Sequence, residues 1–322
     1  MKSAIVTGSA GFIGSHLTER LLKDGFKVTG IDCFTDYYSK KIKQKNLMNF
    51  INDKNFIFVE DDLMNLDLNS LFKKNQILFH QAAQPGVRAS WGSQFQTYVK
   101  DNILVTQKIL ETAKKTNNLE KIIMASSSSV YGNQEGIMRE NQTIPKPISP
   151  YGTTKLASES LGFLYHKNFG LPVTSLRYFT VYGPRQRPDM AFFRFILANL
   201  TNKKIELYGD GSQKRDFTFV SDIVEANIKV LEKNVEGEIL NVGGGSVRTI
   251  KEILDLICLK TGNENIISFK DTQKGDVLKT ESSTENIVKK LNFKPEISVE
   301  EGLPMEIRWL ESVKEEYIKK LM

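Results

Sequence analysis

The sequence predicts an α/β protein in which a doubly wound parallel sheet is followed by a smaller C-terminal α/β lobe. Short apolar runs alternate with amphipathic stretches through residues 1–182. A glycine-rich turn separates the first apolar run from the first amphipathic stretch. After Gly183 this rhythm ends, and the loop-like segment GPRQRPDM leads into shorter, less regular elements. Strand, helix and strand in repeated order favour parallel strands with helices on both faces.

The predicted elements can be assigned in order along the chain. SAIVTG is the first strand, and GFIGSHLTERLLKDG is a helix that ends at Gly25. Five further strands are expected at KVTGIDCF, NFIFVED, QILFHQAA, KIIMASSSSVYG and PVTSLRYFTVYG. Long helices are expected at residues 97–116 and 151–169, the second with Ser149 as its N-cap and Gly170 at its end.

The change at Gly183 predicts two lobes. Residues 1–182 are expected to form the first lobe, and residues 183–322 the second. A later segment near residues 221–243 is expected to return to the first lobe. The second lobe would then close over a ligand that the first lobe holds.

The composition is that of a soluble globular protein, with 40% hydrophobic and 25% charged residues among 322. Cys33 and Cys258 lie far apart and form no disulfide framework or CxxC zinc pattern, so a cytoplasmic location is expected. Because MKSAIVTG runs straight into a predicted strand, no signal peptide is expected. No apolar run approaches the roughly 20 residues of a membrane span, so no membrane association is expected.

The net charge of +6 is spread over scattered lysines and favours solubility, although a basic cleft for an anionic ligand is an alternative. No Lys/Arg tract is interleaved with aromatic residues, so nucleic acid is not an expected partner. His16, His80 and His166 have no metal-ligand spacing, and no metal is predicted.

A phosphate-binding loop is predicted at TGSAGFIG, between the first strand and the first helix. Gly8, Gly11 and Gly14 are spaced three apart, and glycine allows a tight turn and close approach to a pyrophosphate at a helix N-terminus. The spacing differs from G-x-G-x-x-G, so the loop alone is moderate support. Asp32 ends the second strand, where a carboxylate accepts hydrogen bonds from a ribose diol and repels a 2′-phosphate. The pattern therefore predicts a Rossmann-type domain that binds NAD rather than NADP.

Further cofactor contacts are expected where later strands end. Asp62 and Leu63 follow the third strand, on the side expected for the adenine, and Ala82 and Ala83 follow the fourth, where small side chains leave room for a cofactor. The complete set of predicted cofactor-binding residues is Gly8, Gly11, Phe12, Ile13, Gly14, Asp32, Asp62, Leu63, Gln81, Ala82, Ala83, Asn102, Tyr151, Lys155 and Tyr178.

Tyr151 and Lys155 are the predicted catalytic pair, with Ser127 as their partner. The two lie one helical turn apart, so both side chains face the same way. A nearby ammonium favours phenolate over phenol, which would make Tyr151 a base toward a sugar hydroxyl near neutral pH. Ser127 ends the fifth strand and is expected to join the proton relay. A Tyr-x-x-x-Lys pair alone is weak support for a catalytic role. It becomes strong support here because it follows a predicted nucleotide-binding domain whose fifth strand ends in serine.

The sequence resembles the extended short-chain dehydrogenase/reductase family over essentially its whole length. The resemblance rests on TGSAGFIGSHL, SSSSVYG, SPYGTTK, RYFTVYGPRQ, YGDGSQKRDFTFVSDIVEA and NVGGG. It implies bound NAD and a nucleotide-diphosphate sugar as substrate. Within the family, QAAQPGVRASWG and GPRQRPDMAF are most similar to UDP-glucuronate 4-epimerases. These interconvert UDP-glucuronate and UDP-galacturonate through a 4-keto intermediate.

Three positions bear on the branch of this family. Ser128 and Ser129 stand where the 4,6-dehydratases carry an Asp-Glu pair, and Ser129 stands where the UDP-glucuronate decarboxylases carry a glutamate. Thr180 replaces the asparagine of most members but is similar to the uronate epimerases. The missing acids disfavour dehydration and decarboxylation.

The resemblance also implies substrate contacts. Arg187 resembles the family's carboxylate contact, and Arg88 is a second candidate, since arginine binds carboxylate with fixed geometry. For each arginine an exposed loop position without a ligand is the alternative. The predicted substrate-binding set, which includes contacts to the nucleotide and diphosphate, is Arg88, Ser127, Ser128, Thr180, Arg187, Arg194, Tyr208, Arg215 and Asp276.

Several functions remain open at this level. The same chemistry on a neutral sugar, as in UDP-glucose or UDP-N-acetylhexosamine 4-epimerases, is the first alternative. Decarboxylation of UDP-glucuronate is the second, and a non-catalytic NAD-binding regulator is the third, although it conflicts with the presence of both Tyr151 and Lys155. The resemblance further implies a homodimer in which helices 97–116 and 151–169 pair with their copies.

Overall fold

A computed structural model describes residues 2–273 and 275–321, so Met1 and Met322, the outer ends of the two predicted lobes, lie outside the described residues. The strands are β1 (Ser3–Thr7), β2 (Lys27–Asp32), β3 (Phe56–Glu60), β4 (Ile77–His80), β5 (Lys121–Ser127), β6 (Val173–Tyr178), β7 (Thr180–Tyr182), β8 (Lys204–Tyr208), β9 (Lys214–Phe219), β10 (Ile239–Val242), β11 (Ser246–Thr249) and β12 (Ile266–Lys270). The α-helices are α1 (Phe12–Lys23), α2 (Lys40–Leu47), α3 (Leu68–Lys74), α4 (Phe95–Tyr98), α5 (Val105–Thr116), α6 (Pro150–Phe169), α7 (Ala191–Leu200), α8 (Val220–Leu231), α9 (Ile250–Thr261), α10 (Glu285–Leu291) and α11 (Val299–Leu321).

The central sheet has seven strands in the order β10-β6-β5-β4-β1-β2-β3, and all of its pairs are parallel. This confirms the predicted doubly wound sheet. The strand order reverses between β1 and β4, so the loops that follow these two strands diverge. In open parallel sheets such a switch point opens a crevice at the carboxyl ends of the strands, where ligands bind.

Helices cover both faces of this sheet. Helices α1 and α8 pack together on one face, and α3, α5 and α6 pack on the other. Two apolar clusters result, one that includes Leu17 and Ile223 and another that includes Leu78 and Ile109, all fully buried. Buried on both sides, the strands read as continuous apolar runs, which is why they are visible in the sequence.

The predicted helix at residues 97–116 is not one regular α-helix. Helix α4 passes into a π-helical segment, Val99–Leu104, before α5 begins. The carbonyl of Asn102, inside this wider turn, accepts hydrogen bonds from the hydroxyls of Thr106 and Ser158. These tertiary partners stabilise the irregular turn, and apolar periodicity contains no sign of them.

Helix α6 has the predicted ends. The Ser149 hydroxyl accepts a hydrogen bond from the Gly152 N–H at 3.1 Å, and Gly170 ends the helix with φ 70°. The left-handed conformation at Gly170 is one that glycine adopts without steric cost.

The sixth predicted strand is two strands in different sheets. β6 belongs to the central sheet, whereas β7 pairs with β9 in a three-stranded sheet, β11-β9-β7. A two-stranded parallel sheet, β12-β8, lies beyond it. The chain then returns, because α8 packs on α1 and β10 pairs with β6. Among the described residues, no helix combines the length and apolar character needed to cross a bilayer.

Candidate active site

A cavity lies at the carboxyl ends of the central strands, around the switch point between β1 and β4. We name it the cofactor cavity. All but one of the predicted cofactor-binding residues line it, namely Gly8, Gly11, Phe12, Ile13, Gly14, Asp32, Asp62, Leu63, Gln81, Ala82, Ala83, Tyr151, Lys155 and Tyr178.

The glycine loop at its floor leaves no room for side chains. A Cβ on Gly14 would lie 2.0 Å from the carbonyl oxygen of Gly8, and Gly8 itself has φ 70°. Helix α1 begins directly after the loop, and its N-cap residue, Gly11, supplies no side-chain cap. Its first N–H groups therefore stay available, and together with the positive end of the helix dipole they fit a pyrophosphate.

Asp32 ends β2 at the edge of the same cavity. Its carboxylate accepts backbone hydrogen bonds from Ala10 at 3.2 Å and Phe34 at 2.9 Å. Burial raises the pKa of Asp32, and these bonds together with the charge of Lys43 act in the opposite direction. The carboxylate oxygens can also accept from a ribose diol, so the donor and acceptor set of this loop fits NAD.

Asn102 is the exception among the predicted cofactor contacts. It is buried behind the cavity wall and does not line it. Its side-chain oxygen accepts from the Gln84 N–H, and its amide donates to the Gln84 carbonyl and the Thr154 hydroxyl. These partners use the side-chain amide, so Asn102 fixes the chain after β4 against α6, and its direct contact with the cofactor stays a prediction.

Tyr151 and Lys155 line the cofactor cavity, and Ser127 lies beside Tyr151 in the adjoining cavity. Tyr151 and Lys155 project from the first turns of α6, and Ser127 ends the neighbouring strand β5. Ser127 lies close enough to Tyr151 to lower the pKa of its phenol, and the ring of Tyr98 packs edge-on against Tyr151 with 6.3 Å between ring centres. The Ser127 hydroxyl also accepts from the Ser129 N–H, which fixes its position.

The charge state of this pair differs from the sequence-based expectation. Burial raises the pKa of Tyr151, and Ser127 and the charge of Arg187 only partly oppose this. Burial also lowers the pKa of Lys155 to about 8, against the attraction of Glu159. The expected net lowering of the pKa of Tyr151 by Lys155 is therefore wrong for this state of the protein, because desolvation outweighs the neighbouring charges.

A buried ion pair lies behind Lys155. Glu159, one helical turn further along α6, binds Arg177 of β6 through two hydrogen bonds of 2.8 and 2.5 Å. Glu159 also accepts from the hydroxyl of Ser126, which lines the cofactor cavity. Neither residue of this ion pair was among the predicted site residues, although Glu159 stands four residues after Lys155 and therefore on the same helix face.

A second cavity adjoins the first between the central sheet and the second lobe, and we name it the substrate cavity. Tyr151, Tyr178 and Arg187 line both cavities, so the two meet at the catalytic pair. All of the predicted substrate-binding residues line it, namely Arg88, Ser127, Ser128, Thr180, Arg187, Arg194, Tyr208, Arg215 and Asp276.

Arginines dominate the charge of the substrate cavity, and three of them have acidic partners. Arg187 pairs with Asp189, and Arg194 lies 3.8 Å from Glu206. Arg88 pairs with Asp276 at 2.8 Å, and its guanidinium stacks on Tyr208 with 4.1 Å to the ring centre.

Arg215 is the least neutralised of these arginines. Burial lowers its pKa, the charge of Asp276 raises it, and the charge of Arg88 lowers it again. A positive group in this setting gains most from a bound anion such as a diphosphate. Among residues 2–273 and 275–321, no group of three or more His, Cys, Asp or Glu is placed to hold a metal ion.

Comparison with known proteins agrees with this geometry. The model of the NAD dependent epimerase/dehydratase family matches residues 4–243. The chain belongs to this family. That confirms the resemblance to extended short-chain dehydrogenases/reductases, and NAD is the cofactor.

Individual relatives match over almost the full chain. The solved structure of UDP-glucuronic acid 4-epimerase from Bacillus cereus, in complex with UDP-glucuronic acid and NAD, is 41% identical with a TM-score of 0.94, covering 97% of this chain and 100% of that chain. UDP-glucuronate 4-epimerase of Thermodesulfobacterium geofontis is 40% identical over 95% of each chain. An uncharacterized UDP-glucose epimerase of Bacillus subtilis is 42% identical over 96% of this chain and 98% of its own.

Proposed function

We propose that this protein is a UDP-glucuronate 4-epimerase. The observation that carries the proposal is the position of Arg187, which lines both cavities together with Tyr151. A guanidinium at this junction can bind a carboxylate on the sugar carbon next to the one that reacts. The relatives from Bacillus cereus and Thermodesulfobacterium geofontis carry the same activity in their names, which supports the assignment.

Tyr151 acts as the base in the proposed mechanism. When bound, NAD supplies a hydride acceptor for C4 of the sugar and a positive charge beside the tyrosine. Tyr151, as phenolate, takes the proton of the 4-hydroxyl. Ser127 is proposed to hold the same hydroxyl by a hydrogen bond, and Lys155 to stabilise the phenolate by its charge.

Inversion at C4 requires the 4-keto sugar to turn over within the substrate cavity. The turn exposes its other face to the same Tyr151, which returns the proton while hydride adds back to C4. Arg215 and Arg88, both in the substrate cavity, are proposed to hold the diphosphate during the turn. We propose that the nucleotide part of the substrate is bound by Tyr208, Arg194 and Asp276.

A 4-keto uronate is a β-keto acid, which tends to lose carbon dioxide. Loss is favoured when the bond to the carboxylate stands perpendicular to the carbonyl plane. Before and after the turn, Arg187, with Thr180 and Ser128 beside the same cavity, is proposed to hold the carboxylate away from that alignment. Ser128 and Ser129 form a short 3₁₀ turn and carry no acid, which supports epimerisation over elimination.

The cofactor-binding lobe is proposed to comprise residues 1–182 with the segment near 221–243, and the remainder of 183–322 to bind the nucleotide sugar.

A homodimer is proposed through exposed apolar side chains of α6 and the π-helical segment, Leu104, Phe163, Leu164 and Phe169. Light scattering of purified protein tests this, and a mass near 73 kDa, twice 36.5 kDa, is expected. The two free thiols, Cys33 and Cys258, fit a reducing cytoplasm.

Incubation with UDP-glucuronate and product identification by NMR tests the function. UDP-galacturonate without carbon dioxide release is the expected result. A UDP-pentose with carbon dioxide would contradict the proposal in favour of decarboxylation. UDP-glucose epimerisation is the second candidate, favoured by the name of the Bacillus subtilis relative, and conversion of UDP-glucose but not UDP-glucuronate would select it.

A further inference from the structure

The guanidinium of Arg187 already holds a carboxylate from its own chain. Asp189, two residues further on, accepts from Nε at 3.0 Å and from Nη2 at 3.1 Å. This is the two-point arrangement by which an arginine binds any carboxylate, including one on a substrate. Asp189 therefore occupies the edge of the guanidinium that carries Nε and Nη2. The edge that carries Nη1 is not used by Asp189.

A second group keeps Asp189 in this position. The Tyr37 hydroxyl donates to Oδ2 of Asp189 at 3.1 Å, and its ring lies 6.0 Å from the Arg187 guanidinium. Tyr37 is tightly enclosed, because a Cβ on Gly86 would lie 2.3 Å from its hydroxyl. Asp189, Tyr37 and Arg187 all line the substrate cavity, so a uronate bound there meets all three.

Asp189 remains ionised in this arrangement. Burial acts to raise its pKa, but the charge and hydrogen bonds of Arg187 and the bond from Tyr37 outweigh burial and lower it. Burial raises the pKa of Tyr37, which keeps the phenol protonated and able to donate. The positive charge of Arg187 is thus neutralised before any substrate arrives.

We propose that Asp189 is a specificity-determining residue that competes with the substrate carboxylate for Arg187. This rests on the proposed function. A uronate meets a guanidinium that is already paired and a like charge close by, so its carboxylate is held less tightly than by a free arginine. The weaker contact lets the carboxylate leave Arg187 while the 4-keto sugar turns and bind again afterwards. Asp189 takes the guanidinium in the interval, so Arg187 keeps an anionic partner throughout the turn.

Asp189→Asn tests the proposal in the NAD-loaded protein. The change removes the competing charge and nearly keeps the size of the side chain. We expect the Kd for UDP-glucuronate to fall roughly tenfold, about 1.4 kcal/mol, while the Kd for UDP-glucose stays the same. Calorimetry measures both. The kcat for UDP-glucuronate should fall together with KM, because the ground state is held more strongly than the transition state.

Asp276→Asn is the matched control, since Asp276 is proposed for the nucleotide end and pairs with another arginine of the substrate cavity, Arg88. It should change the Kd of UDP-glucuronate and UDP-glucose by the same factor. Tyr37→Phe removes the second hydrogen bond to Asp189 and should shift the ratio of the two Kd values in the direction of Asp189→Asn, by a smaller factor.

Two results would overturn the proposal. One is an Asp189→Asn protein that binds UDP-glucuronate no more tightly than the wild type, and the other is equal tightening for both sugars. If Asp189→Asn does not fold by thermal unfolding, Tyr37→Phe decides alone, and an unchanged Kd ratio overturns the idea. Failure of the proposed function is recognised separately, because the wild type would then form no UDP-galacturonate whatever the variants do.

Discussion

The cofactor cavity and the substrate cavity are built by different means. Backbone dominates the first, where glycines, strand ends and a helix N-terminus leave the space and the N–H groups for a ligand. Side chains dominate the second, where arginines are matched with acids, in one case from a distant part of the chain, as Arg88 is with Asp276. A backbone site is set by local conformation, whereas such a long-range charge pair depends on how distant segments of the chain pack together.

This difference predicts how substitutions act. In the cofactor cavity a single Cβ added to a loop glycine should weaken cofactor binding severely, because the backbone atoms it meets cannot move aside. In the substrate cavity Arg88, Arg187 and Arg194 share their charge with acidic partners, so single replacements of these arginines should be milder and should discriminate among ligands. The four expected outcomes below probe that contrast.

Tyr151→Phe should have the largest effect, because the group removed is the base at the junction of the two cavities. Turnover should fall about a thousandfold or more, while bound NAD is retained. Turnover is measured by product formation in NMR, and retention of NAD by the absorbance of the NAD released from the purified variant. Epimerisation at the wild-type rate would show that another group is the base.

Acid should affect the two lobes in opposite directions. Burial, with the charge of Lys155, lowers the pKa of His80 to about 3, below its unfolded value of about 6.5. The stability that neutral His80 contributes is complete above pH 6.5 and is lost as the pH falls, by about 3 kcal/mol between pH 6.5 and 4. Burial raises the pKa of Asp216 to about 6, so its contribution is lost as the pH rises from about 4 to 6.

Urea unfolding at several pH values measures this difference. The curve for His80→Gln should lose less stability than the wild type on acidification, by about the same 3 kcal/mol, because glutamine does not titrate. Parallel curves for the two proteins would mean that the pKa of His80 is the same in the folded and unfolded states.

Gly14→Ala should weaken NAD binding by roughly a hundredfold, because the new Cβ would lie 2.0 Å from the Gly8 carbonyl oxygen. Gly162→Ala is the control, since its Cβ would meet only side chains of Val173 and Met124. Fluorescence titration with NAD compares the two, and an equal loss in both would argue against a backbone-limited site.

Arg187→Gln should have the smallest of these effects, because Asp189 already neutralises the arginine. Binding of UDP-glucuronate should weaken about tenfold, and binding of UDP-glucose by less than about twofold. Arg194→Gln is the control, since its contact with Glu206 is long and half-exposed, and it should not change the ratio. If Arg187→Gln weakened the binding of UDP-glucuronate and UDP-glucose equally, Arg187 would not be the residue that binds the carboxylate.

The sequence was most informative where structure is local. The glycine loop, Asp32, the Tyr151–Lys155 spacing and the ends of α6 all follow from short-range rules, and the fold class followed from their order. The break between β6 and β7 was not visible, because Phe179 lies between two strands that read as one apolar run. Nothing in local sequence marks a change of sheet.

Long-range partners explain the remaining differences. The pKa of Tyr151 depends on burial, and the role of Asn102 depends on Gln84 and Thr154, which only the folded chain brings near. Asp189 stands two residues from Arg187, yet its pairing also needs Tyr37 from another loop. The spacing of residues in the sequence predicted which side chains line the site. It did not predict which of them are already hydrogen-bonded or ion-paired with other parts of the protein.

The return of β10 to the edge of the central sheet has a consequence for synthesis of the chain on the ribosome. Ile239 of β10 pairs beside Ser175 of β6, and the Phe179 N–H bonds to the Val242 carbonyl. Until residue 242 has emerged, β6 is an open edge with unpaired N–H and C=O groups. The nascent cofactor-binding lobe therefore stays incomplete and prone to aggregation until much of the second lobe has also been made.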